Sequence, residues 1–355
     1  MEPCRMRIAS CCYSVKQGLG WLMKWFYDAG VITDPIIYKH SSPSRVTETS
    51  WYPSNTPIVG GRGLSKLPEI KQVLSRVDIL LCFETFFDWE LVNLCKSMGV
   101  KSVLMPMMEW TPRVWPAKPD WILAPSALDY DYFKDEFPNH IEYIPVPVDN
   151  STWRLRTKAT TFLHNAGNVG HREHKGTRQF VEAIPLVKNC DARFIIRAQD
   201  TDAMDSILQG NPDALHDPRL TVDYSERPWS SLWDGADVYV APEKFNGLTL
   251  PPVEAYAAGL PVITTDRYPL NSVLPQDKAL FVQPASIHRA SISGAYREFD
   301  ECVVEPSAVA AKIDEWCGRD ITAESEMTRS WGEGYSWAAL RSRYNKFISC
   351  VLERS

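Results

Sequence analysis

Residues 242–263 read Pro-Glu-Lys-Phe-Asn-Gly-Leu-Thr-Leu-Pro-Pro-Val-Glu-Ala-Tyr-Ala-Ala-Gly-Leu-Pro-Val-Ile. The pattern predicts a loop, a short helix and a buried strand. Pro251 and Pro252 lack backbone donors and suit a first helical turn, where those donors have no intrahelical partner. Gly259 ends the helix, and the apolar run from Leu260 starts the strand. The amides of Gly247, Leu248, Thr249 and Leu250 then gather at a helix N-terminus, a place suited to a phosphate. Glu254, one turn in, is positioned to accept hydrogen bonds from a pair of hydroxyls.

Outward from this stretch, strands and helices alternate. In the first half, residues 8–12, 78–83, 102–105 and 121–124 read as strands, and 141–148 closes this half. A helix with Trp21, Leu22, Trp25, Phe26 and Ala29 on one face follows the first strand. A second helix carries Leu91, Val92, Cys95 and Met98, and Ser126 is a candidate helix cap. Residues 41–67, rich in Ser, Pro, Thr and Gly, read as one long loop. Pro145 and Pro147 suggest a stiff link. The second half restarts the pattern with strands at 161–165, 193–197, 220–222 and 238–241. Such repetition implies an α/β chain with two doubly wound parallel sheets. Leu340, Tyr344, Phe347, Ile348 and Val351 form the apolar stripe of a final amphipathic helix.

The 355 residues suit two α/β domains, with 45% hydrophobic and 23% charged content. A net charge of −6 argues against wholesale coating of nucleic acid. The nine cysteines form no Cys-x-x-Cys pair, which points to reduced thiols and a cytoplasmic location. No uninterrupted apolar run reaches the roughly 18 residues of a membrane span, and the N-terminus lacks the apolar core of a signal peptide. Among the tryptophans, Trp51, Trp110 and Trp115 fall in loop-like segments where they could meet an acceptor. His164, His171 and His174 crowd one loop, but no Asp or Cys completes a zinc spacing, so no metal is expected.

Residues 242–263 resemble the donor-sugar signature of retaining GT-B glycosyltransferases, especially glycosyltransferase family 4 (group 1). In that pattern a first Glu is followed by Phe-Gly-Leu-Pro, a second Glu, and Gly-x-Pro-Val. The first Glu falls on Asn246, with Glu243 three residues earlier as a stand-in if the loop is rearranged. The second Glu, which binds ribose, falls on Glu254. Residues 164–177 resemble the family's diphosphate loop, with Lys175-Gly176 on its Lys-Gly. Asn168 stands where the family has Arg, which leaves Arg172 as the nearest guanidinium. Gly18 and Gly20 resemble the glycine-rich loop near the donor sugar. Met107-Met108-Glu109-Trp110 follows a strand where the family often carries a His that touches the transferred sugar; here Glu109 is the polar candidate, with Glu84 at the preceding strand end. Tyr335-Ser336-Trp337 resembles the Phe-Ser-Trp that opens the last helix.

The resemblance implies a GT-B fold of two facing Rossmann-like domains. Residues 1–147 would take the acceptor and 148–330 the nucleotide sugar, with 331–355 a helix packing back on the first domain. It implies a retaining, metal-independent, hexosyltransferase-like enzyme with no cofactor and a nucleotide-diphosphate sugar as donor, UDP-sugar favoured. Lys175, Arg172 and Glu109 would carry the chemistry. Gly18, Asn168, Asn246, Gly247, Leu248, Thr249 and Glu254 would hold the donor. The acceptor would be a saccharide, lipid or other hydroxyl compound. Lys16, Lys24, Arg45, Arg62 and Lys66 leave a hydroxymethylated DNA base open as an acceptor instead. The same architecture also admits an epimerase or phosphorylase, or a non-catalytic nucleotide-sugar-binding module.

Overall fold

The computed structural model describes residues 6–40, 45–169 and 173–353. Every run predicted as a strand forms one, and the strands assemble into two separate parallel sheets. Two compact units result. The first comprises residues up to 146, 291–297 and 340 onward; the second comprises 147–290 and 298–339.

In the first unit the strands are β1 (Ile8–Tyr13), β2 (Asp34–Tyr38), β3 (Ile58–Val59), β4 (Ile79–Glu84), β5 (Lys101–Pro106), β6 (Trp121–Ala124) and β7 (Ile141–Tyr143). Their order is β3-β2-β1-β4-β5-β6-β7, so the chain reverses its direction of travel across the sheet between β1 and β4. The segment predicted as one loop over 41–67 contains β3 and a 3-10 turn, Leu64–Lys66. β7 occupies the start of the 141–148 stretch that closes this half.

The helix Gly18–Asp28 buries Leu22, Met23 and Phe26. Phe26 meets Phe83 of β4 edge-on, with ring centroids 5.1 Å apart, and Tyr344 at 5.3 Å. Tyr344 belongs to the final helix, Trp337–Glu353, which from Leu340 onward is part of the first unit. Its hydroxyl donates to the Pro145 carbonyl at 3.0 Å, Arg341 donates to the Ala29 carbonyl at 2.8 Å, and Phe347 packs edge-on against Trp121. The amphipathic stripe read in the sequence is thus the buried face of this helix.

The second sheet comprises β8 (Thr161–Gly167), β9 (Arg193–Ala198), β10 (Leu220–Asp223), β11 (Val238–Ala241), β12 (Val262–Thr265) and β13 (Phe281–Val282), in the order β10-β9-β8-β11-β12-β13. Phe162, Phe180, Phe194, Ile196, Ile313 and Trp316 share its core with the helices Thr177–Ala183 and Pro306–Trp316. A two-stranded ribbon, β14 (Ser286–Ser291) with β15 (Glu298–Val303), had no counterpart among the predicted elements. Here the reversal falls between β8 and β11, whose carboxyl ends are Gly167 and Ala241. In open parallel sheets such a switch point opens a crevice for ligands.

Candidate functional site

The two segments singled out in the sequence both leave the sheet at this switch point. β8 ends in Gly167, at φ +53°, and Asn168 lies half-buried in the turn that follows. The Lys175 ammonium comes back over that turn and donates to the Ala166 carbonyl at 2.9 Å. A side-chain carbon added to Gly167 would lie 2.6 Å from the Lys175 nitrogen, so the glycine makes room for the cation. Gly176 is needed for a second reason. Its φ is +70°, and an added carbon would fall 1.9 Å from the Pro242 carbonyl oxygen. The Lys244 amide donates to the His174 carbonyl at 2.7 Å. The Lys-Gly loop is therefore clamped onto residues 242–244. Burial pulls the Lys175 ammonium down to about 8, and the Glu243 carboxylate partly offsets that effect. Arg172 lies outside the described residues.

His164 is a core residue rather than a ligand-facing one. Its Nδ1 lies 2.8 Å from the Val240 carbonyl and its Nε2 3.0 Å from the Thr177 hydroxyl, tying β8 to β11 and to the next helix. Burial depresses its pKa to about 4, which keeps it neutral. Among the described residues, no group of three or more His, Cys, Asp or Glu side chains is arranged to hold a metal ion.

After β11 comes the loop and then the helix Leu250–Ala257, with its prolines in the first turn. Gly259 takes φ +102° just past the helix, where an added carbon would lie 2.1 Å from the Arg154 carbonyl oxygen. The expectation of freely available loop amides needs correction. The Asn246 side-chain oxygen accepts from the amides of Leu248, at 3.1 Å, and Thr249, at 3.2 Å. Thr249 itself is held in the left-handed region at φ +49°. A short side chain that folds back onto the amides two and three residues ahead is the usual competitor for such donors.

Glu243, the candidate stand-in for the first signature Glu, is engaged within the fold. It is 1% exposed and ion-paired with Arg267, Oε2 to Nη2, at 2.6 Å. Because β11 and β12 run parallel and adjacent, with Ala241 opposite Thr264, the residues just beyond them emerge side by side. Arg267 also donates to the Asn246 carbonyl at 3.2 Å, pinning the main chain of the loop. Sequence reading missed Arg267, which belongs to no motif; only the pairing of β11 with β12 reveals it.

Glu254 is buried, and its Oε1 has no hydrogen-bond partner among the described residues. Burial drives its carboxyl well above the ordinary range, with a smaller push from Asp149. Buried polar atoms are nearly always paired, so an unpaired carboxyl oxygen asks for a donor from outside the chain. A vicinal diol offers two.

The first unit collects carboxyl groups at its strand ends. Glu84 ends β4 at φ +65°, in a tight turn closed by the Thr85 amide on the Phe83 carbonyl at 2.7 Å. Burial and then Glu109 raise Glu84 to about 8. Glu109 lies 4% exposed in the 3-10 turn Met108–Trp110 after β5. Asp129, which the sequence reading did not single out, is raised to about 8 mainly by burial, with Glu109 adding to it. It accepts from the Met108 amide at 3.0 Å. Gly18 opens the first helix with no atom of the described residues within 4 Å of an added carbon, whereas Gly20 would clash with the Val15 carbonyl oxygen at 2.0 Å. Packing therefore requires Gly20, and Gly18 stands open. Trp115 is structural: it donates to Glu136 at 2.7 Å and lies under Arg297. Trp51 packs on Trp21, and Trp110 meets Tyr296 edge-on.

Residues 161–293 match the family model described as glycosyl transferases group 1. No curated protein sequence matches significantly. Among solved structures, a glycosyltransferase from Rickettsia africae superposes with TM-score 0.71 at 14% identity, over 99% of this chain and 100% of that one. Anabaena HepE in complex with UDP and glucose superposes with TM-score 0.68 at 10% identity, over 97% and 100%. Sucrose-phosphate synthase from Thermosynechococcus elongatus gives TM-score 0.63 at 13% identity, over 99% and 100%. At these identities the likeness is one of fold, and that fold is GT-B. The chain thus has the two-unit GT-B fold, and residues 161–293 are similar to the glycosyl transferases group 1 family.

Proposed function

We propose that this protein is a retaining, metal-independent glycosyltransferase that moves a hexosyl group from a nucleotide-diphosphate sugar, UDP-sugar favoured, to an acceptor hydroxyl. The observation that carries the reading is Glu254, a buried carboxyl with an oxygen unpaired among the described residues, on the helix that follows the 242–249 loop. It would hold the ribose diol. Backbone donors of the 247–249 loop and the Lys175 ammonium would hold the diphosphate, with Arg172 as a second cation. Asn246 and Asn168 would lie toward the transferred sugar. UDP and glucose bound to Anabaena HepE support this choice of donor.

In the reaction, the bond between the anomeric carbon and the diphosphate oxygen breaks and a bond to the acceptor oxygen forms on the same face. The acceptor proton passes to the departing diphosphate. Fixed positive charge at Lys175 stabilises the leaving group as its charge grows. The first unit would supply the acceptor side, where Glu109 orients the hydroxyl and Gly18 leaves space for the substrate. The carboxyl groups at Glu84 and Asp129, both raised to about 8 by burial, are largely protonated at neutral pH and suit hydrogen bonding to a neutral, hydroxyl-rich acceptor.

A thermal-shift screen with nucleoside diphosphates and their sugars tests this. A ligand at one hundred times its Kd adds about 2.7 kcal/mol, a rise of roughly 5–10 °C for a domain of this size. The rise should vanish in Glu254→Gln and Lys175→Ala. A screen in which no nucleoside diphosphate or nucleotide sugar stabilises the wild type would end the proposal.

A further inference from the structure

Asn246 stands where the resembling family carries a carboxylate, and its side chain is engaged in an unexpected way. Its carboxamide oxygen sits on the two amides, of Leu248 and Thr249, that lead into the helix Leu250–Ala257. Those amides are the donors assigned above to the diphosphate, so the inference rests on that reading. We infer that Asn246 is a displaceable phosphate surrogate: its oxygen takes the place of a diphosphate oxygen on these amides, and a nucleoside diphosphate binds by replacing it.

Three features make the replacement workable. First, the competitor is neutral. Hydrogen bonds from an amide to a phosphate oxygen are charge-assisted and about twice as strong as those to a carboxamide, so the ligand wins. Second, the loop does not depend on the side chain alone. Arg267, ion-paired with buried Glu243, holds the Asn246 carbonyl at 3.2 Å, so the main chain stays in place when the carboxamide leaves. Third, the released carboxamide both donates and accepts hydrogen bonds. It emerges at the position that in the resembling family reads the sugar, so displacement by the diphosphate frees the group that meets the hexose. An aspartate here, with the same reach as Asn246, would grip the same amides by charge and repel the phosphate, whereas the longer Glu of the family would not fold back in the same way.

The test is calorimetric titration of the whole chain with UDP, and with uridine as the phosphate-free control, for wild type, Asn246→Ala and Asn246→Asp. Removing the competitor should tighten UDP binding by roughly 3- to 10-fold in Asn246→Ala, with uridine affinity unchanged. Asn246→Asp should weaken UDP by at least about tenfold while its melting temperature stays at or above that of the wild type, because the cap is strengthened. An Asn246→Ala protein that retains the wild-type circular dichroism yet binds UDP no more tightly than wild type would overturn the inference, whatever UDP does in the other variant. If the wild type binds neither UDP nor any other nucleoside diphosphate, the functional reading falls and takes this inference with it. If the wild type binds and only the gain in Asn246→Ala is missing, the functional reading survives alone.

Discussion

Replacing Glu243 with Gln keeps the size of the side chain and removes its charge. In the wild type, Glu243 and Arg267 are 1% and 4% exposed and their charged atoms are 2.6 Å apart. The substitution leaves a buried guanidinium facing a neutral carboxamide and the carbonyls of Asn246 and Tyr268, while its Nε has no partner among the described residues. Removing one member of a buried ion pair costs about 3–5 kcal/mol, mostly the penalty of the stranded charge. Glutamine retains an acceptor, so the expected cost is near the lower end, about 3 kcal/mol. For a domain of about the second unit's size, each kcal/mol moves the melting temperature by about 2–4 °C, which gives a drop of roughly 6–12 °C by calorimetry. A double-mutant cycle with Arg267→Met isolates the pair. The double variant should be far less destabilised than the sum of the singles, since the stranded charge is gone. A drop below about 2 °C in Glu243→Gln, or strict additivity in the cycle, would refute the claim that this pair is a dry, coupled unit. The same substitution removes a carboxylate that raises the Lys175 pKa, so the pH above which nucleotide affinity declines should move down.

Lys175, at about 8 in the fold against an ordinary 10.5, binds fewer protons folded than unfolded between those values. Its contribution to stability therefore rises with pH across that window, while nucleotide affinity, which needs the ammonium, falls above about 8; Lys175→Met should flatten both trends in parallel melting and binding titrations. Lys175→Ala should abolish sugar transfer with the fold intact by circular dichroism, and residual transfer at wild-type rate would remove it from the mechanism. Gly176→Ala combines a left-handed backbone with an approach of 1.9 Å to the Pro242 oxygen, and should cost about 3 kcal/mol or more by denaturant melting; a loss under 1 kcal/mol would contradict the clamp. Tyr344→Phe deletes one buried hydrogen bond to the Pro145 carbonyl and should cost about 1 kcal/mol, read from urea unfolding of the first unit.

The strands that the sequence disclosed are continuous apolar runs such as Ile79 to Phe83, because strands buried on both faces of a parallel sheet contain little else. β2 escaped because Pro35 interrupts its short run, and proline argues against an interior strand. β3, with two residues, is too short for any periodicity. The ribbon strand Ser286–Ser291 is mostly polar or small and lacks an apolar face to betray it. At the site, the proline turn, Gly259 and Glu254 were legible because local backbone chemistry dictates them. The closure of Asn246 onto its own amides was not, although Asn is a residue that favours such turns. Arg267 and Asp129 were invisible for a different reason. Each acquires meaning from a partner on a neighbouring element, Glu243 beyond the adjacent strand and the Met108 amide after β5.

The last helix has a consequence for biosynthesis. Leu340, Tyr344, Phe347, Ile348 and Val351 complete the apolar interior of a unit whose first strand begins at Ile8. During translation the earlier part of that unit emerges with this side uncovered, and the whole intervening sheet can fold before the missing piece leaves the ribosome. The first unit thus cannot be completed until residues 340–351 have been made, and a cut between residues 334 and 340 would remove the helix that covers this apolar side.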